Sequence, residues 1–354
     1  MNKQILHHTA GLCVRTLNRL SHATQRDIGT IIRFDTSIGT QNLGDHIIMH
    51  YCSHILDEMF PKHQKFSIST HRMPTAAEEK SVAKYKYKFI CGTNLLTSYI
   101  EHHWRWILPD GIRRKFHFRN SILLGVGWGE YQGACSDYSR TVYNIMLNPV
   151  LIHSVRDQYT QEKLRDAGIN NVINTGCPTT WALTPEFCKD IPTRKAKNVV
   201  TTITDYRQDI ERDNEMLRIL SQNYDHVYLW PQGSKDKEYL RTLDIPQNLT
   251  TISASLKAYE EVLAQGGVDY VGTRLHAGVH ALNHKIRSII LAVDNRATEM
   301  GRDVNLPVIQ RDDISYALES MIQADRPTEI QINQKNIDLF KSQFARIRNH
   351  GNTA

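Results

Sequence analysis

The sequence predicts an α/β protein with two Rossmann-like, doubly wound domains that face each other across a cleft. Short apolar strands alternate with amphipathic helices through most of the chain, which is the pattern of parallel sheets. The alternation is interrupted over residues 184–198 by two prolines, several charges and little periodicity. Because 354 residues exceed the usual size of one domain, we place a domain boundary in this stretch.

In the first half, four apolar runs have the length of strands. The strands are predicted at Thr30–Asp35, Tyr87–Cys91, Ser121–Val126 and Leu151–Val155. Helical periodicity separates them, from about His46 to Met59 and again from the fourth strand through Leu164. The polar turns after these strands should gather at the carboxyl edge of one sheet, where open α/β sheets bind ligands.

The second half repeats the alternation. Its strands are predicted at Val199–Thr204, His226–Trp230, Thr250–Ile252, Val268–Val271 and Ser288–Val293. Its helices are predicted from about Gln208 to Gln222, near Lys237, from Ser255 to Ala264 and from about Ala277. A last helical stretch, Gln331–Arg348, is expected to pack back on either half. We therefore divide the chain into a basic helix or arm (1–28), a first domain (29–186), a second domain (196–325) and a carboxy-terminal helix (326–354).

Composition narrows the range of functions. The chain has 43 Lys plus Arg against 37 Asp plus Glu, a net charge of only +6, and no dense basic tract, so we expect no nucleic-acid partner. Its six cysteines form no C-x-x-C pair, which favours a reducing cytoplasm. The apolar runs are too short to span a bilayer, which takes roughly 18 to 20 residues.

The amino-terminal segment carries basic residues and has no acid before Asp27. Apolar residues recur there at helical spacing: Leu6, Ala10, Cys13, Leu17 and Leu20. Two interpretations stay open. Residues 1–26 could lie on the inner face of the membrane as a basic amphipathic helix, or the segment could pack on the first domain or form an arm.

The most informative turn follows the predicted strand Val268–Val271. Arg274 and His276 stand there, at the carboxyl end of a buried parallel strand and at the start of a helix. A guanidinium and a helix amino terminus both favour anions, so we predict an anion-binding site with Arg274 as the clamp. His276 is the candidate acid or base, because imidazole can donate or accept a proton near neutral pH.

The first loop, residues 36–45, also connects a strand to a helix. Gly44 lets the backbone approach a ligand, while Asn42 and Asp45 supply polar groups at the helix start. The loop lacks the G-K-[ST] of a Walker A motif and a full G-x-G-x-x-G. Asp45 could act only as a helix cap, and that alternative stays open.

Further candidate binding residues follow other predicted strands: Gly92, Asn94, Gly127, Arg156 and Gln232. Glycines at these turns would let a ligand lie against backbone N–H groups. Arg156 could reach into the cleft as a second anion clamp, or it could pair locally with Asp157 at the start of the next helix.

His276, His280 and His284 recur every fourth residue and invite a metal interpretation. An H-E-x-x-H zinc site needs a glutamate where Ala277 stands, and these turns contain no carboxylate. We therefore predict no metal, and we interpret His280 and His284 as packing or surface residues.

Taken in order, NLGD, ICGTN, LLGVGWGEYQ, SVRD, QEKLRDAGINNVINTG and GTRLHAGVHAL resemble the polysaccharide pyruvyl transferase family over roughly Arg33 to Ile309. The resemblance implies a GT-B-like pair of Rossmann domains, with the acceptor at the first domain and phosphoenolpyruvate at the second. The family's Arg-Leu-His motif, which helps to hold that donor, matches Arg274, Leu275 and His276. The first loop departs from the family pattern, since Gln41 stands where a glycine is usual.

The resemblance further implies transfer of the pyruvyl group onto two hydroxyls of a sugar as a cyclic ketal, with release of phosphate, in exopolysaccharide biosynthesis for the cell envelope. No cofactor is expected, and the acceptor would be a sugar, an oligosaccharide or a lipid-linked saccharide. We expect His276 to transfer the proton and Asp45 to accept one from the acceptor. Two rivals stay open: a glycosyltransferase that uses a nucleotide sugar, and a scaffold of the same fold that lacks turnover.

Overall fold

The computed structural model describes residues 3–102 and 105–345, with the side chains of residues 3–13 outside that description. Contacts within the chain divide it into two units. Unit 1 contains Met1–Thr40, Ile48–Pro178 and Asn333–Ala354, and unit 2 contains Gln41–Ile47 and Thr179–Ile332. The second half of the first loop, from Gln41, thus belongs to unit 2 with the start of the following helix, although the sequence on both sides belongs to unit 1.

Unit 1 is built on a parallel sheet. Its first four strands are β1 (Thr30–Asp35), β2 (Gln64–Ser69), β3 (Tyr87–Cys91) and β4 (Ser121–Leu124), in the order β2-β1-β3-β4. The pair β5 (His153–Val155) and β6 (Val172–Asn174) adjoins β4, where the Gly125 N–H donates to the Ser154 carbonyl at 3.0 Å. This order is that of a flavodoxin-like doubly wound sheet, whose switch point lies between β1 and β3.

The helices of the first part of the chain connect these strands. They are α1 (Lys3–Thr24), α2 (Leu43–Met59), α3 (Ala76–Val82), α4 (Ile112–Lys115), α5 (Asp137–Met146) and α6 (Gln158–Asp166). Helix α6 begins at an N-cap, Asp157, whose side chain accepts from the Thr160 N–H at 2.7 Å. Such caps satisfy N–H groups that a helix cannot satisfy itself.

Unit 2 contains a six-stranded parallel sheet. Its strands are β7 (Asn198–Thr201), β8 (His226–Leu229), β9 (Leu249–Thr251), β10 (Val268–Gly272), β11 (Ser288–Ala292) and β12 (Val308–Gln310). They pair in the order β12-β11-β10-β7-β8-β9, which is the Rossmann order 3-2-1-4-5-6 read from the other edge. The switch point therefore lies between β7 and β10.

The remaining helices are α7 (Pro185–Cys188), α8 (Ile210–Asn223), α9 (Asp236–Leu240), α10 (Leu256–Gln265), α11 (Leu275–Asn283), α12 (Asn295–Val304), α13 (Glu319–Gln323) and α14 (Gln334–Ser342). Helix α14 belongs to unit 1, where Phe344 just beyond it packs on the aromatic rings of Phe60 and Phe89. The sequence left open which half the last helix packs on, and it packs on unit 1.

Each unit has its own apolar core. In unit 1, Phe34, Ile90 and Leu123 bring three neighbouring strands into one buried cluster. In unit 2, Val199, Val271 and Leu291 do the same. Strands buried on both faces read as continuous apolar runs, which explains why the sequence located them well.

The predicted mixed α/β class with parallel sheets is confirmed in both units. The bounds of β1 and β3 agree with the prediction, whereas β2 was not predicted. Four of the six residues in its sequence QKFSIS are polar, and Gln64 and Phe66 are exposed, because it is an edge strand of the sheet. Helix α5 was also missed, because its buried apolar residues, Val142, Tyr143, Ile145 and Met146, are crowded into its second half after a polar start.

The domain division differs from the predicted one. The chain passes to unit 2 after Pro178, before the predicted linker, and residues 184–198 form part of unit 2. Ile191 there is buried, and Asp190 accepts from the Lys285 ammonium at 2.6 Å. Two prolines and scattered charge therefore mark a folded surface segment rather than a free linker.

Helix α1 packs on unit 1 through α5. The Asn18 amide, which is buried, donates to the Ile145 carbonyl at 2.9 Å, and Arg15 donates to Asn171 at 3.2 Å. Leu17 and Leu20 are about 60% exposed, so the described end of the apolar repeat points away from this contact. The rest of the repeat, Leu6, Ala10 and Cys13, lies outside the described side chains. Among the described helices, none combines the length and apolar character needed to cross a membrane.

Candidate functional site

The switch point of unit 2 carries the turn that the sequence singled out. Strand β10 ends at Gly272, and Arg274 is the N-cap residue of α11. Gly272 lies against β7, because a Cβ there would come within 2.5 Å of the Thr202 hydroxyl. The Thr273 N–H donates to the Thr202 carbonyl at 3.1 Å. The sheet thereby fixes the start of α11.

The Arg274 guanidinium is buried and is held by two carboxylates. Its Nη2 donates to Asp205 at 2.8 Å and also to Asp236, while Nε donates to the Ile203 carbonyl at 2.9 Å. Its Nη1 has no hydrogen bond to any residue within 3–102 or 105–345. The predicted anion clamp is therefore already neutralised, and one amino group remains for an external partner.

Charge and burial act in opposite directions on this cluster. Burial lowers the pKa of Arg274, but Asp236, Tyr206 and Asp205 outweigh that effect and raise the pKa above its usual value. Burial raises the pKa of Asp236, and Arg274 with the Gly233 N–H opposes that rise. The pair consequently acts as a fixed ionic support.

The first loop reaches this cluster through Gln232. The side-chain oxygen Oδ1 of Asn42 accepts from the side-chain amide of Gln232 at 2.8 Å and from the Gly44 N–H at 3.1 Å. The Leu43 N–H donates to the Gln232 carbonyl at 3.0 Å. A Cβ on Gly44 would lie 2.8 Å from the Gln232 amide nitrogen, so a glycine is needed for this contact.

The start of α2 excludes the alternative that Asp45 is the N-cap of this helix. The helix begins at Leu43, so Asn42 occupies the N-cap position and Asp45 lies in the first turn. Asp45 is buried, at 7% exposure, and its role as acceptor base stays a prediction. Gln41 replaces the family's usual glycine without strain, because it is not among the residues with positive φ.

Gln232 and Gly233 connect the loop to the ionic cluster. Their N–H groups both donate to Asp236, at 2.9 and 2.7 Å. A Cβ on Gly233 would come within 2.4 Å of the Arg274 Nη2, so this glycine makes room for the guanidinium. The structure thus brings Asn42, Gly44, Gln232 and Arg274 into one network.

His276 lies in the first turn of α11, one residue after Leu275. Both side chains are largely buried, at 5% and 6% exposure. Their position at the amino end of a nine-residue helix agrees with the predicted anion-favouring environment. His276 as proton donor and Leu275 as a binding residue stay predictions.

The candidate residues of unit 1 form a second group. Arg156 follows β5, is 1% exposed, and donates through Nη1 to the Asn94 side chain at 2.6 Å and through Nε to Asp157 at 3.0 Å. Its Nη2 is buried and has no partner among the described residues. A Cβ on Gly127 would lie 2.2 Å from the Arg156 Cζ, so the guanidinium lies flat against the glycine backbone.

Gly92 has another function in the fold. Its φ is +54°, and a Cβ there would lie 2.1 Å from the Ile48 side chain. It therefore permits close packing of β3 on α2.

For Arg156, the sequence left open a local pairing with Asp157, and this pairing is present. Because the Nη2 of Arg156 is unpaired, its role as an anion clamp stays a prediction.

Comparison with known proteins settles the family. A sequence model described as polysaccharide pyruvyl transferase matches residues 42–295, which include the end of the first loop, Arg156 and the whole switch point of unit 2. The chain belongs to the polysaccharide pyruvyl transferase family. The predicted resemblance is thereby confirmed, and the protein is a transferase.

One of two similar solved structures supports the predicted fold of this transferase. The Methanocaldococcus jannaschii UDP-GlcNAc 2-epimerase, solved with UDP-GlcNAc and UDP, has a TM-score of 0.53 at 11% identity, over 91% of this chain and 99% of that one. The S. aureus MnaA–UDP co-structure has a TM-score of 0.47 at 12% identity, over 91% and 95% of the two chains. No curated protein matches the sequence significantly. At such identities the first similarity shows the GT-B-like fold alone.

Sequence reasoning missed the two carboxylates of the transferase's ionic cluster. Asp205 comes shortly after β7, and Asp236 opens α9. Both positions are polar residues beside a strand end or helix start, so a signal was present. Because the sequence gives no distances, it could not show that both converge on Arg274.

Proposed function

We propose that this transferase takes its pyruvyl group from phosphoenolpyruvate and delivers it to two hydroxyls of a saccharide as a cyclic ketal. The observation that carries the proposal is the position of Arg274, Leu275 and His276 at the switch point of a Rossmann sheet and at a helix amino terminus. The donor is a compact polyanion with a planar carboxylate and a phosphate. The helix amino terminus favours such a ligand, and Arg274, whose charge is balanced by Asp205 and Asp236, offers the hydrogens of Nη1.

Three groups of unit 2 are proposed to meet the donor. The first-turn N–H groups of α11 favour its negative charge, and Arg274 offers Nη1. Asp205 and Asp236 keep the guanidinium charged and fixed in orientation. His276, the second residue of α11, is proposed to face the methylene carbon.

The proposed reaction begins with proton transfer from His276 to the methylene carbon of phosphoenolpyruvate. This step leaves an oxocarbenium-like centre at the adjacent carbon, to which a sugar hydroxyl adds while giving up its proton. The carbon–oxygen bond to phosphate then breaks, and a second hydroxyl closes the ketal and releases the second proton. One phosphate is formed for each ketal, and general acid help of this kind is typically worth about 10²- to 10⁴-fold.

The acceptor is proposed to approach the first loop. Asp45 would accept a hydroxyl proton, and Asn42 and Gln232 would hold the acceptor's polar groups. The hydrogen bond of 2.8 Å between these two amides supports the proposal, because it fixes their orientation. Gly44 contributes by allowing their close approach.

Gly92, Asn94, Gly127 and Arg156 are proposed as further substrate contacts in unit 1. The support is the unpaired, buried Nη2 of Arg156 beside a glycine backbone. An unsatisfied charged donor is costly in a protein interior, and an anionic or polar substrate group would remove that cost.

A cytoplasmic location, peripheral to the inner face of the membrane, completes the proposal. Leu17 and Leu20 are exposed on α1, and Arg19 and Arg26 lie nearby in sequence. A basic helix with exposed leucines can bind an anionic lipid surface, where a lipid-linked acceptor would be found.

The test is to incubate the full chain with phosphoenolpyruvate and a panel of saccharides. Mass spectrometry should find the added pyruvyl mass, with one phosphate released for each ketal. His276→Gln should lower turnover by at least about 10²-fold without loss of folding. His226→Gln is the matched control, because His226 lies at the start of β8, at the opposite end from the switch point. Normal turnover by His276→Gln would reject the proton transfer.

The same preparation separates the rival functions. Phosphoenolpyruvate should raise the Tm and nucleotide sugars should not, since a ligand at 100 Kd adds about 2.7 kcal/mol of stability. Stabilisation by a nucleotide sugar alone would favour a glycosyltransferase. A chain lacking residues 1–26 should keep activity on a soluble acceptor, whereas a scaffold would show no turnover and would lose its partners.

A further inference from the structure

The structure joins two helices of unit 2 through a cluster of metal-binding side chains. Glu260 lies on α10, His280 lies on α11, and His284 is the C-cap residue of α11. One donor atom from each lies within 4.8 Å of the others. The sequence argument against a metal looked for a carboxylate near the histidines, whereas this one comes from the preceding helix.

The distances within the cluster agree with a shared ion. The His280 Nε2 lies 3.2 Å from the His284 Nε2 and 3.3 Å from Glu260 Oε1. Ligand atoms at about 2.0–2.2 Å from a tetrahedral Zn²⁺ lie about 3.3–3.5 Å from one another. Two of the three separations therefore already have the length of a tetrahedral edge.

One hydrogen on the His280 Nε2 cannot make two full-strength hydrogen bonds. The His280 Nε2 carries either one hydrogen or one lone pair, and it faces two other donor atoms at nearly equal distances. If it donates to Glu260, the contact with His284 is left to compete for the same hydrogen. A cation between the three atoms would bind a lone pair from each.

The helices hold these ligands in place independently of an ion. Tyr259, next to Glu260, donates its hydroxyl to the Ala277 carbonyl at 2.8 Å and stacks on Trp230 with ring centroids 4.1 Å apart. His280 is 2% exposed, so its ring is fixed by packing. Glu260 and His284 are partly exposed, which gives an ion a path from solvent and leaves room for a water ligand.

We propose that Glu260, His280 and His284 bind one divalent transition-metal ion of the zinc type, which clamps α10 to α11. Two imidazoles and one carboxylate are a ligand set of zinc proteins, and a water would complete four-coordination. The site lies at the carboxyl end of α11, about two helical turns from His276, so its role is structural. The proposal is independent of the function proposed above.

The test uses the full chain, freed of metal with a chelator and titrated with Zn²⁺ or Co²⁺. Binding should reach one equivalent, Co²⁺ should give the visible d–d absorption of a four-coordinate ion, and Zn²⁺ should raise the Tm. Glu260→Gln and His284→Gln should each weaken Zn²⁺ binding by at least about tenfold and abolish the Tm shift. Both residues are partly exposed, so these variants avoid the folding risk of replacing the buried His280.

The controls are Glu261→Gln and His226→Gln. Glu261 is the neighbour of Glu260 on α10 and forms only a loose pair with Lys257 at 3.7 Å. Both controls should bind Zn²⁺ like the natural chain. Because the chain has 17 histidines, adventitious binding is the main rival. Equal affinity in all five proteins, or no saturable equivalent, would overturn the proposal.

Discussion

The two units of this transferase treat buried cations differently. In unit 2, buried arginines are paired with carboxylates: Arg274 with Asp205 and Asp236, and Arg287 with Asp269 at 2.8 Å. In unit 1, buried cations are held largely by neutral oxygens. Lys88 donates to the Tyr85 carbonyl at 2.5 Å, and Lys115 donates to the Pro109 carbonyl at 2.7 Å.

Arg156 shows the difference most clearly. It lies at a strand end against a glycine, as Arg274 does, but it has one carboxylate partner, one amide partner and an unpaired Nη2. Arg274 has two carboxylates and a carbonyl. Arg274 is thus fixed by two carboxylates and keeps only Nη1 without a bond, whereas Arg156 has one carboxylate partner and an unpaired Nη2. Similar residues at similar places in two Rossmann-like sheets therefore differ in how completely their charge is compensated.

The largest expected effect is on stability. Arg274→Met should cost about 3–5 kcal/mol, because it leaves Asp236 buried without its partner. Arg156→Met should cost only about 1–2 kcal/mol, since Asp157 keeps its hydrogen bond as the cap of α6. Denaturant unfolding of the full chain measures both. Arg194→Met, at an 84% exposed side chain, is the control and should change stability by less than about 0.5 kcal/mol.

Equal losses of stability in Arg274→Met and Arg156→Met would contradict the difference between the two units. A double variant tests its cause, because adding Asp236→Asn should restore part of the stability lost in Arg274→Met. The reason is that the asparagine removes the uncompensated charge while its side-chain oxygen can still accept from the Gly233 N–H.

The same two arginines show how much of the site could be predicted from the sequence. Residue type and position after an apolar strand were enough to place Arg274 and Arg156 at sheet edges. Whether each guanidinium is free depends on residues far away in sequence, such as Asp205 and Asn94. Periodicity specifies faces and ends of elements, but it does not specify which loops meet.

The second prediction concerns substrate binding and rests on the proposed function. Arg156→Lys should raise KM for the substrate that it contacts by about 10–100-fold with little loss of stability, because one ammonium cannot keep Asn94 and Asp157 and also offer a free N–H. Arg274→Lys should raise KM for phosphoenolpyruvate and also lower stability. Steady-state kinetics with each substrate varied, together with unfolding curves, distinguishes the two. An unchanged KM for both substrates in Arg156→Lys would show that its Nη2 does not face a substrate.

The Glu260–His280–His284 cluster shows the same limit from another side. The histidines were evident from their spacing, but their carboxylate lies on another helix. Similarly, β2 was missed because four of its six residues are polar, as an edge strand of a sheet allows. In each case the information lies in tertiary packing, which a local pattern does not contain.

The smallest expected effect tests the neutral-oxygen environment of unit 1 directly. Burial, with a smaller effect from Arg119, lowers the pKa of Lys88 to about 7. Between pH 7 and 10.5 the unfolded chain therefore binds a proton at Lys88 that the folded chain does not. The free energy of unfolding should rise with pH through this window, by up to about 5 kcal/mol in total, because below pH 7 the folded protein must bury the charged ammonium.

Lys88→Met should consequently stabilise the protein at pH 7, by about 1–2 kcal/mol, because it removes the buried charge but also leaves the Tyr85 carbonyl without its donor. The gain should be largest at and below pH 7. It should turn into a small loss as pH rises past 10.5, where the natural lysine loses its proton in both states and only the lost hydrogen bond to Tyr85 remains. Unfolding curves across this range measure the difference. A gain that does not depend on pH would contradict the lowered pKa and mean that Lys88 stays charged in the folded protein.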